Sequence, residues 1–233
     1  MKPSPWSPEQ LDGLNRLTTV ARLLTTAVHE AGNALQVISG NAEMIAARPD
    51  DSAKSGERAQ RIKAHADQVG ARLQALAALV TGEAGTPRRL DLRPLCERTV
   101  ALRKYSLNRA QISVAVDGVS HAPVLGDEGE LIRVIANLLL NAERAVRDRP
   151  APEIRFDLSS TGERIRLSVI DNGAGVPPGE SESIFEPFVA GRAPGCGLAV
   201  ARWIAEKHGG TLRLDSEYSG GARLMLELPE THA

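Results

Sequence analysis

A histidine lies beside an apolar stripe in the N-terminal part of the chain, where the spacing of apolar residues predicts a long helix. His29 follows Val28, a member of the stripe, and so lies on its flank or on the solvent side. Asn33 comes one turn later on the same face, and Glu30 adjoins the histidine. A neutral imidazole can act as a nucleophile near pH 7, and a carboxylate can take up its proton. The alternative is a solvated helix surface with no catalytic role.

Two asparagines one turn apart interrupt an apolar helical segment in the second half of the chain. Asn137 and Asn141 lie in the stretch VIANLLLNAERAV. Burying an amide without a partner is costly, so such residues either pair internally or face a ligand. The occurrence of two of them ahead of a glycine-rich loop favours a ligand.

Two glycine-rich segments follow this helix. Asp171, Gly173 and Gly175 come directly after the predicted strand RIRLSVI, where an ordinary turn is one interpretation. The other is an adenine pocket, in which the carboxylate accepts from the adenine amino group and the glycines let the base approach the backbone. Gly195 and Gly197 precede a predicted helix, whose first backbone amides attract phosphate.

The elements that must position these residues fall into two regions. Apolar residues at alternating steps of three and four over residues 14–45 predict a helix with a heptad seam. Proline at position 49 interrupts the pattern, and a second seam covers residues 59–80. One hairpin buries two such seams poorly, whereas two hairpins form a four-helix bundle, so we expect a homodimer. This hairpin is predicted to occupy residues 9–82.

A different pattern begins after Pro87. Stretches of alternating polarity, such as EIRFDLSS and ARLMLELP, predict strands, and helical stretches separate them. The mixture predicts an α/β sandwich over residues 88–233, so the fold class is α plus α/β. The net charge of −1 offers no basic surface for nucleic acid or for an anionic membrane.

The cysteines and the apolar runs bear on location. Cys96 and Cys196 match no metal-binding or redox spacing, and no apolar run approaches the ~18 residues of a membrane span. We therefore expect a cytoplasmic chain without membrane contact and with reduced cysteines.

The histidine segment, HEAGNALQVISGNAEMI, resembles the phosphoacceptor box of sensor histidine kinases. The residues that match are His29, Glu30, Asn33 and Leu35, and Ala34 stands where that family usually has proline. The resemblance implies that His29 is the phosphorylated nucleophile. It also implies that Glu30 assists proton removal, and that Asn33 positions a water for dephosphorylation of a partner.

The second region resembles the nucleotide boxes of the same family, in the family's order. The resemblance implies that Asn141 binds Mg²⁺ through its amide oxygen, with Asn137 beside it and Arg144 near phosphate. It implies that Asp171 recognises adenine. It places Arg192 in a short lid over ATP. The remaining residues assigned to ATP binding are Gly173, Gly175, Gly195, Gly197 and Leu198.

The implied fold is a dimeric helical hairpin followed by an ATP-binding domain of the histidine kinase and gyrase type. The implied activity is autophosphorylation of His29 by Mg-ATP and transfer to an aspartate of a response-regulator receiver domain. Dephosphorylation of that regulator is a further implied activity. Only a short leader precedes the first helix, so we expect the signal to come from a sensor on another chain or outside this sequence.

Two alternatives use the same residues differently. One is an ATPase of the same nucleotide-binding fold without histidine chemistry, akin to gyrase, MutL or an anti-sigma serine kinase. The heptad hairpin that carries His29 argues against it. The other is a phosphotransfer adaptor or pseudokinase, which would tend to lose the nucleotide boxes that are all present here.

Overall fold

The computed structural model describes residues 6–48, 51–81, 86–188 and 195–231, with the backbone alone for residues 8, 20, 22–27, 29–30, 53, 68 and 71–81. The helices are α1 (Pro8–Ala47), α2 (Ser52–Thr81), α3 (Leu92–Arg109), α4 (Glu128–Ala145) and α5 (Gly197–Lys207). The strands are β1 (Arg88–Asp91), β2 (Ser113–Gly118), β3 (Pro123–Gly126), β4 (Glu153–Ser160), β5 (Arg164–Asp171), β6 (Thr211–Leu214) and β7 (Ala222–Pro229).

Helices α1 and α2 pack against each other as the predicted hairpin. Helix α1 ends at Ala47, just before the proline that interrupts the apolar pattern. It has 40 residues and begins at Pro8, before the first residue of the seam at position 14. It begins there because Ser7 caps the helix in a reciprocal capping box with Gln10, and Pro8 occupies a first-turn position.

A mixed five-stranded sheet forms the body of the second region, in the order β2-β4-β5-β7-β6. Strands β2 and β4 run parallel, and the other neighbours run antiparallel. The side chains of β4 and β7 alternate between buried and more exposed positions, as expected for a sheet with one covered face. Helices α3, α4 and α5 cover that face, which confirms the α/β sandwich.

A small two-stranded sheet, β1 paired with β3, lies outside the predicted strands. Their sequences, RRLD and PVLG, do not alternate between polar and apolar residues, so no strand pattern shows in the sequence. Arg88 of β1 and Arg98 of α3 both pair with Glu128 in the first turn of α4. Burial opposes ionisation of Glu128, but the two guanidinium groups outweigh it, so the pKa of this carboxyl is lowered.

A histidine joins the end of α5 to the start of α4. His208 Nδ1 lies 2.8 Å from the Ile204 carbonyl oxygen, and His208 Nε2 accepts a 3.1 Å hydrogen bond from the Asp127 amide. Asp127 is the N-cap of α4 and accepts from the Glu130 amide. One neutral tautomer, protonated at Nδ1, satisfies both bonds, so these two helix ends are fixed to each other.

Among the helices in the described ranges, none combines the length and the apolar character that crossing a bilayer requires.

Candidate nucleotide site

A cavity of about 840 Å³ opens between the start of α1, helix α4, the loop after β5 and the start of α5. Small-molecule sites commonly have this size. The cavity brings together seven of the residues assigned to ATP binding from the sequence. These are Asn137, Asn141, Arg144, Gly175, Gly195, Gly197 and Leu198.

The two asparagines of α4 differ in their environment. Asn141 is half-buried and lines the cavity, and within the described residues its side chain makes no hydrogen bond. Asn137 is buried and bonded to helix α1, to Asn15 and Thr19. The structure therefore combines the two interpretations of the pair, because one amide is paired internally and the other faces the cavity.

Asp171 lies behind the cavity wall rather than in it. Its Oδ1 atom accepts from the backbone amides of Gly173, at 2.9 Å, and Ala222, at 3.2 Å. Ala222, one of these two partners, itself lines the cavity. Burial raises the pKa of the Asp171 carboxyl, and the two amide hydrogen bonds only partly offset that effect.

Two glycines permit close approaches at this site. A Cβ at Gly173 would lie 2.6 Å from the Ala145 carbonyl oxygen at the end of α4, so only glycine lets the loop approach that helix. A Cβ at Gly197 would lie 3.2 Å from Asn137 Oδ1. The small residue at 197 thus sets how near the start of α5 comes to the buried amide.

The first turn of α5 faces the cavity, and the backbone amides of its first three residues donate no hydrogen bond within the described part of the chain. Cys196 is its N-cap and makes no side-chain capping bond, and the first turn carries no acidic residue. Residues 195–199 all line the cavity. The orphan amides and the positive end of the helix dipole make this end of α5 suitable for an anionic group.

The residues assigned to histidine chemistry are on α1, away from the cavity. The backbone of His29 and Glu30 is helical, but their side chains lie outside the described residues. Asn33 is exposed, as its assigned role requires. Arg192 falls outside the described ranges altogether.

Four cavity residues come from a part of the chain that the sequence did not associate with the nucleotide site. Leu14, Asn15, Thr18 and Thr19 of α1 form one wall. A signal for two of them exists in the sequence. Asn15 and Thr19 are polar residues one turn apart beside the apolar seam of α1, a spacing like that of the two asparagines of α4.

The second region is similar to a known family of ATPases. Residues 126–232 match the family described as histidine kinase-, DNA gyrase B-, and HSP90-like ATPase. This region is therefore similar to ATPase domains of that type, and we refer to it as the ATPase domain. The match begins at the end of β3 and includes α4, the glycine loops and the final strand, which are the elements that surround the cavity.

The relatives of the chain are sensor histidine kinases. The sensor histidine kinase ZraS of Escherichia coli is 29% identical over 224 residues, which cover 95% of this chain and 48% of that protein. The chain thus spans about half the length of this relative. The structure of the mycobacterial sensor histidine kinase MprB is 26% identical and covers 62% of this chain and 97% of its own, with a TM-score of 0.55.

The structure of the histidine kinase ThkA in complex with the response regulator protein TrrA has a similar fold. It covers 93% of this chain and 63% of the solved chain, with 20% identity and a TM-score of 0.57. The likeness extends through the hairpin as well as the ATPase domain.

The buried carboxyl of the ATPase domain generates a prediction about stability. Because the pKa of Asp171 is raised on folding, its stabilising contribution is full below its unfolded pKa and is lost as pH rises through the folded pKa. Asparagine keeps the acceptor oxygen and does not titrate. We therefore expect Asp171→Asn to gain thermal stability relative to wild type as the pH is raised from about 4 to 7.

Thermal melts of both proteins across this range measure the difference directly, since groups common to the two chains cancel. A difference in melting temperature that is constant with pH contradicts the prediction.

Proposed function

We propose that the chain is the catalytic portion of a sensor histidine kinase, which phosphorylates His29 with Mg-ATP and transfers the phosphoryl group to a response regulator. The observation that carries the proposal is the cavity of the ATPase domain. It presents the Asn141 amide, the Arg144 side chain and the unused amides of α5 to one space, and a helix with a histidine in a phosphoacceptor-like segment adjoins it.

In this proposal ATP is the substrate that fills the cavity. The first turn of α5 binds its phosphates through backbone amides, and Arg144 adds a positive charge on the opposite wall. Asp171, fixed by two amides, is assigned to the adenine amino group. Gly175 is assigned to the adenine pocket, where it lets the base approach the backbone, and Arg192 is assigned to the lid over ATP.

The residues present fit a magnesium ion at Asn141. Its amide oxygen faces the cavity without a protein partner among the described residues, and hard cations prefer oxygen ligands. The side-chain oxygen of Asn137 already accepts hydrogen bonds from Asn15 and Thr19. When bound, Mg²⁺ would neutralise charge on the ATP phosphates, which is its usual contribution to phosphoryl transfer.

The proposed chemical step uses residues of α1. A nitrogen lone pair of His29 attacks the γ-phosphorus of ATP, so a nitrogen–phosphorus bond forms, the bond to the β–γ bridging oxygen breaks, and ADP leaves. Glu30 accepts the imidazole proton. The receiving aspartate of the regulator then takes the phosphoryl group from His29. The proposed units are residues 9–82 for phosphotransfer and residues 88–233 for ATP binding.

We further propose that the hairpin dimerises into a four-helix bundle. Leu17, Val28 and Leu35 of the α1 seam are 69%, 66% and 60% exposed in a single chain. They are separated by 11 and 7 residues, so they lie on one face of the helix. A stripe of large exposed apolar side chains is typical of an association surface, and a second hairpin would cover it.

The response regulator is the partner that the relatives suggest. A kinase of similar fold is known in complex with one, and the exposed Asn33 lies one turn from His29, where a docked receiver would reach both. The sensor acts from outside this sequence in the proposal, and a cytoplasmic location stays a prediction.

Autophosphorylation tests the proposal directly. Wild type incubated with labelled Mg-ATP should acquire one acid-labile phosphoryl group per His29, and His29→Ala should acquire none. Asn141→Ala should lose about a hundredfold or more in rate, because the proposed metal contact acts where charge develops. Asn108→Ala, an exposed asparagine at the end of α3, is the matched control and should behave as wild type.

Two outcomes contradict this assignment. ATP hydrolysis without label on His29 would indicate an ATPase of the same fold, and an adaptor or pseudokinase would show neither label nor nucleotide binding.

The dimer is tested by placing a charge in the exposed stripe. Leu35→Glu should convert a dimer into a monomer in light scattering at micromolar concentration, because a buried unpaired carboxylate is costly. Leu125→Glu, at an equally exposed leucine of β3, should leave the mass unchanged. A monomeric wild type contradicts the bundle.

A variant of Asn33 separates the two proposed activities. Asn33→Ala should keep most of the autophosphorylation rate while it loses phosphatase activity toward the phosphorylated regulator, since the amide positions water and takes no part in imidazole attack. Asn41→Ala, two turns further along α1, is the control. Unchanged dephosphorylation in Asn33→Ala would leave this side chain without a catalytic role.

A further inference from the structure

Strand β5 ends at Asp171, and the side chain of the next residue completes its pairing with β4. The last pair of the ladder is Asp171 with Ile154, so Asn172 lies opposite Glu153. The Asn172 amide donates to the Glu153 carbonyl oxygen at 3.2 Å, as in a regular ladder. The Glu153 amide, however, donates to Asn172 Oδ1 at 2.9 Å and not to the main-chain carbonyl. The main chain therefore leaves the sheet at Asn172 without an unpaired donor on β4.

The main-chain carbonyl of Asn172, which is not needed for the ladder, is bound by an arginine. Arg149 Nε donates to this oxygen at 2.7 Å. Asn172 Nδ2 donates to the Ala151 carbonyl oxygen at 2.6 Å. Every polar group of Asn172 thus has a partner within residues 149–153. We call these four hydrogen bonds the Asn172 anchor.

The Asn172 anchor joins the loop after β5 to the end of α4. The Arg149 amide donates at 3.0 Å to the carbonyl oxygen of Val146, the C-cap residue of that helix. The last turns of the helix carry Asn141 and Arg144, both of which line the cavity. A short segment therefore connects this helix end to Asn172, and it sets the separation between the two walls of the cavity.

The Asn172 anchor also determines the orientation of the Asp171 carboxylate. The Oδ1 atom of Asp171 accepts from the Gly173 amide, which follows Asn172 in the chain. The direction of that amide depends on the backbone conformation of Asn172, which the anchor fixes. Among the described residues, Asp171 Oδ2 accepts no hydrogen bond, so this oxygen is the one available to a ligand.

We propose that Asn172 and Arg149 are positioning residues, which hold Asp171 in the orientation, and at the distance from Asn141, that selects an adenine nucleotide. This inference rests on the proposed function and adds the basis of base selection at the same site. A carboxylate oxygen attracts the amino group of adenine and repels the carbonyl oxygen that guanine has in its place. The preference therefore depends on where Asp171 Oδ2 points. Neither positioning residue lines the cavity, so both act through Asp171.

The kinetic consequence is a change in KM. The base keeps the same contacts in the bound substrate and in the transition state, because it lies away from the reacting phosphorus. Loss of orientation at Asp171 should therefore raise KM for ATP about tenfold and leave kcat within about twofold of wild type. Autophosphorylation rates of Asn172→Ala over a range of ATP concentrations measure both constants.

The test of base selection uses the full chain and isothermal calorimetry with Mg²⁺ and non-hydrolysable analogues of ATP and of GTP. Asn172→Ala removes the side-chain bonds of the anchor, and Arg149→Ala removes the exposed guanidinium. In both, the preference for the ATP analogue should fall about tenfold, through weaker binding of that analogue alone, because Asp171 loses much of one charged hydrogen bond. Arg149→Lys keeps a donor and should recover most of the preference.

Arg147→Ala is the matched control, since it removes an exposed arginine and the same charge two residues before Arg149. Its preference should equal that of wild type. Thermal melts of all variants measure any loss of stability. A variant that only destabilises the ATPase domain would weaken the binding of both analogues alike.

An unchanged preference in Asn172→Ala and Arg149→Ala, or an equal loss of affinity for both analogues, overturns the inference and leaves the proposed function intact. Equal binding of the two analogues by wild type also overturns the inference, because Asp171 then recognises no amino group. Absence of any nucleotide binding by wild type would overturn the proposed function as well.

Discussion

Helix α4 is buried on nearly all sides, and the polar side chains that it buries must be satisfied by whatever packs on it. Three buried residues of this helix are polar, and each has a partner on a neighbouring helix. Glu130 pairs with Lys207 of α5, while Arg133 and Asn137 pair with α1. An unpaired charge or amide there would cost several kcal/mol, so the positions of α1 and α5 follow from the sequence of α4.

Because α1 supplies partners for the buried polar residues of α4, two of its faces make different contacts. The face with Leu11, Asn15 and Thr19 is polar enough to satisfy α4, and the stripe that includes Leu17 and Val28 remains exposed. A helix of 40 residues can serve both, because its first turns extend beyond the length shared with α2, which has 30. The same helix thus belongs structurally to the hairpin and to the wall of the cavity.

The sequence predicted most of the fold because its signals are local. Alternation indicated β4, β5 and β7, the heptad seam indicated the hairpin, and the break before Pro49 was placed correctly. Strands β1 and β3 were not predicted, because their sequences, RRLD and PVLG, show no alternation of polar and apolar residues. Most of the site was likewise predictable, since glycines and paired amides stand out in an aliphatic sequence.

The part that could not be predicted is long-range pairing. Nothing near Asn15 in the sequence indicates that its partner lies 122 residues away, and the seam accommodates a polar residue in either a bundle or an interface. The position of Asp171 behind Ala222 is a related case. Its turn-like sequence suggests exposure, whereas antiparallel pairing of β5 with β7 buries it.

The bonds of His208 have a mechanical consequence for α5. They fix the last turn of α5 to the N-cap of α4, while the first turn consists of glycine-flanked residues at the cavity. A helix that is held at one end can tilt about that end but cannot slide along its axis. Helix α5 has 11 residues and is about 16 Å long, so a tilt of roughly ten degrees about His208 would displace its phosphate-facing end by about 3 Å. The C-terminal end of α5 is thus held to α4 by His208 and by the ion pair of Lys207 with Glu130, while its phosphate-facing end has no such attachment among the described residues.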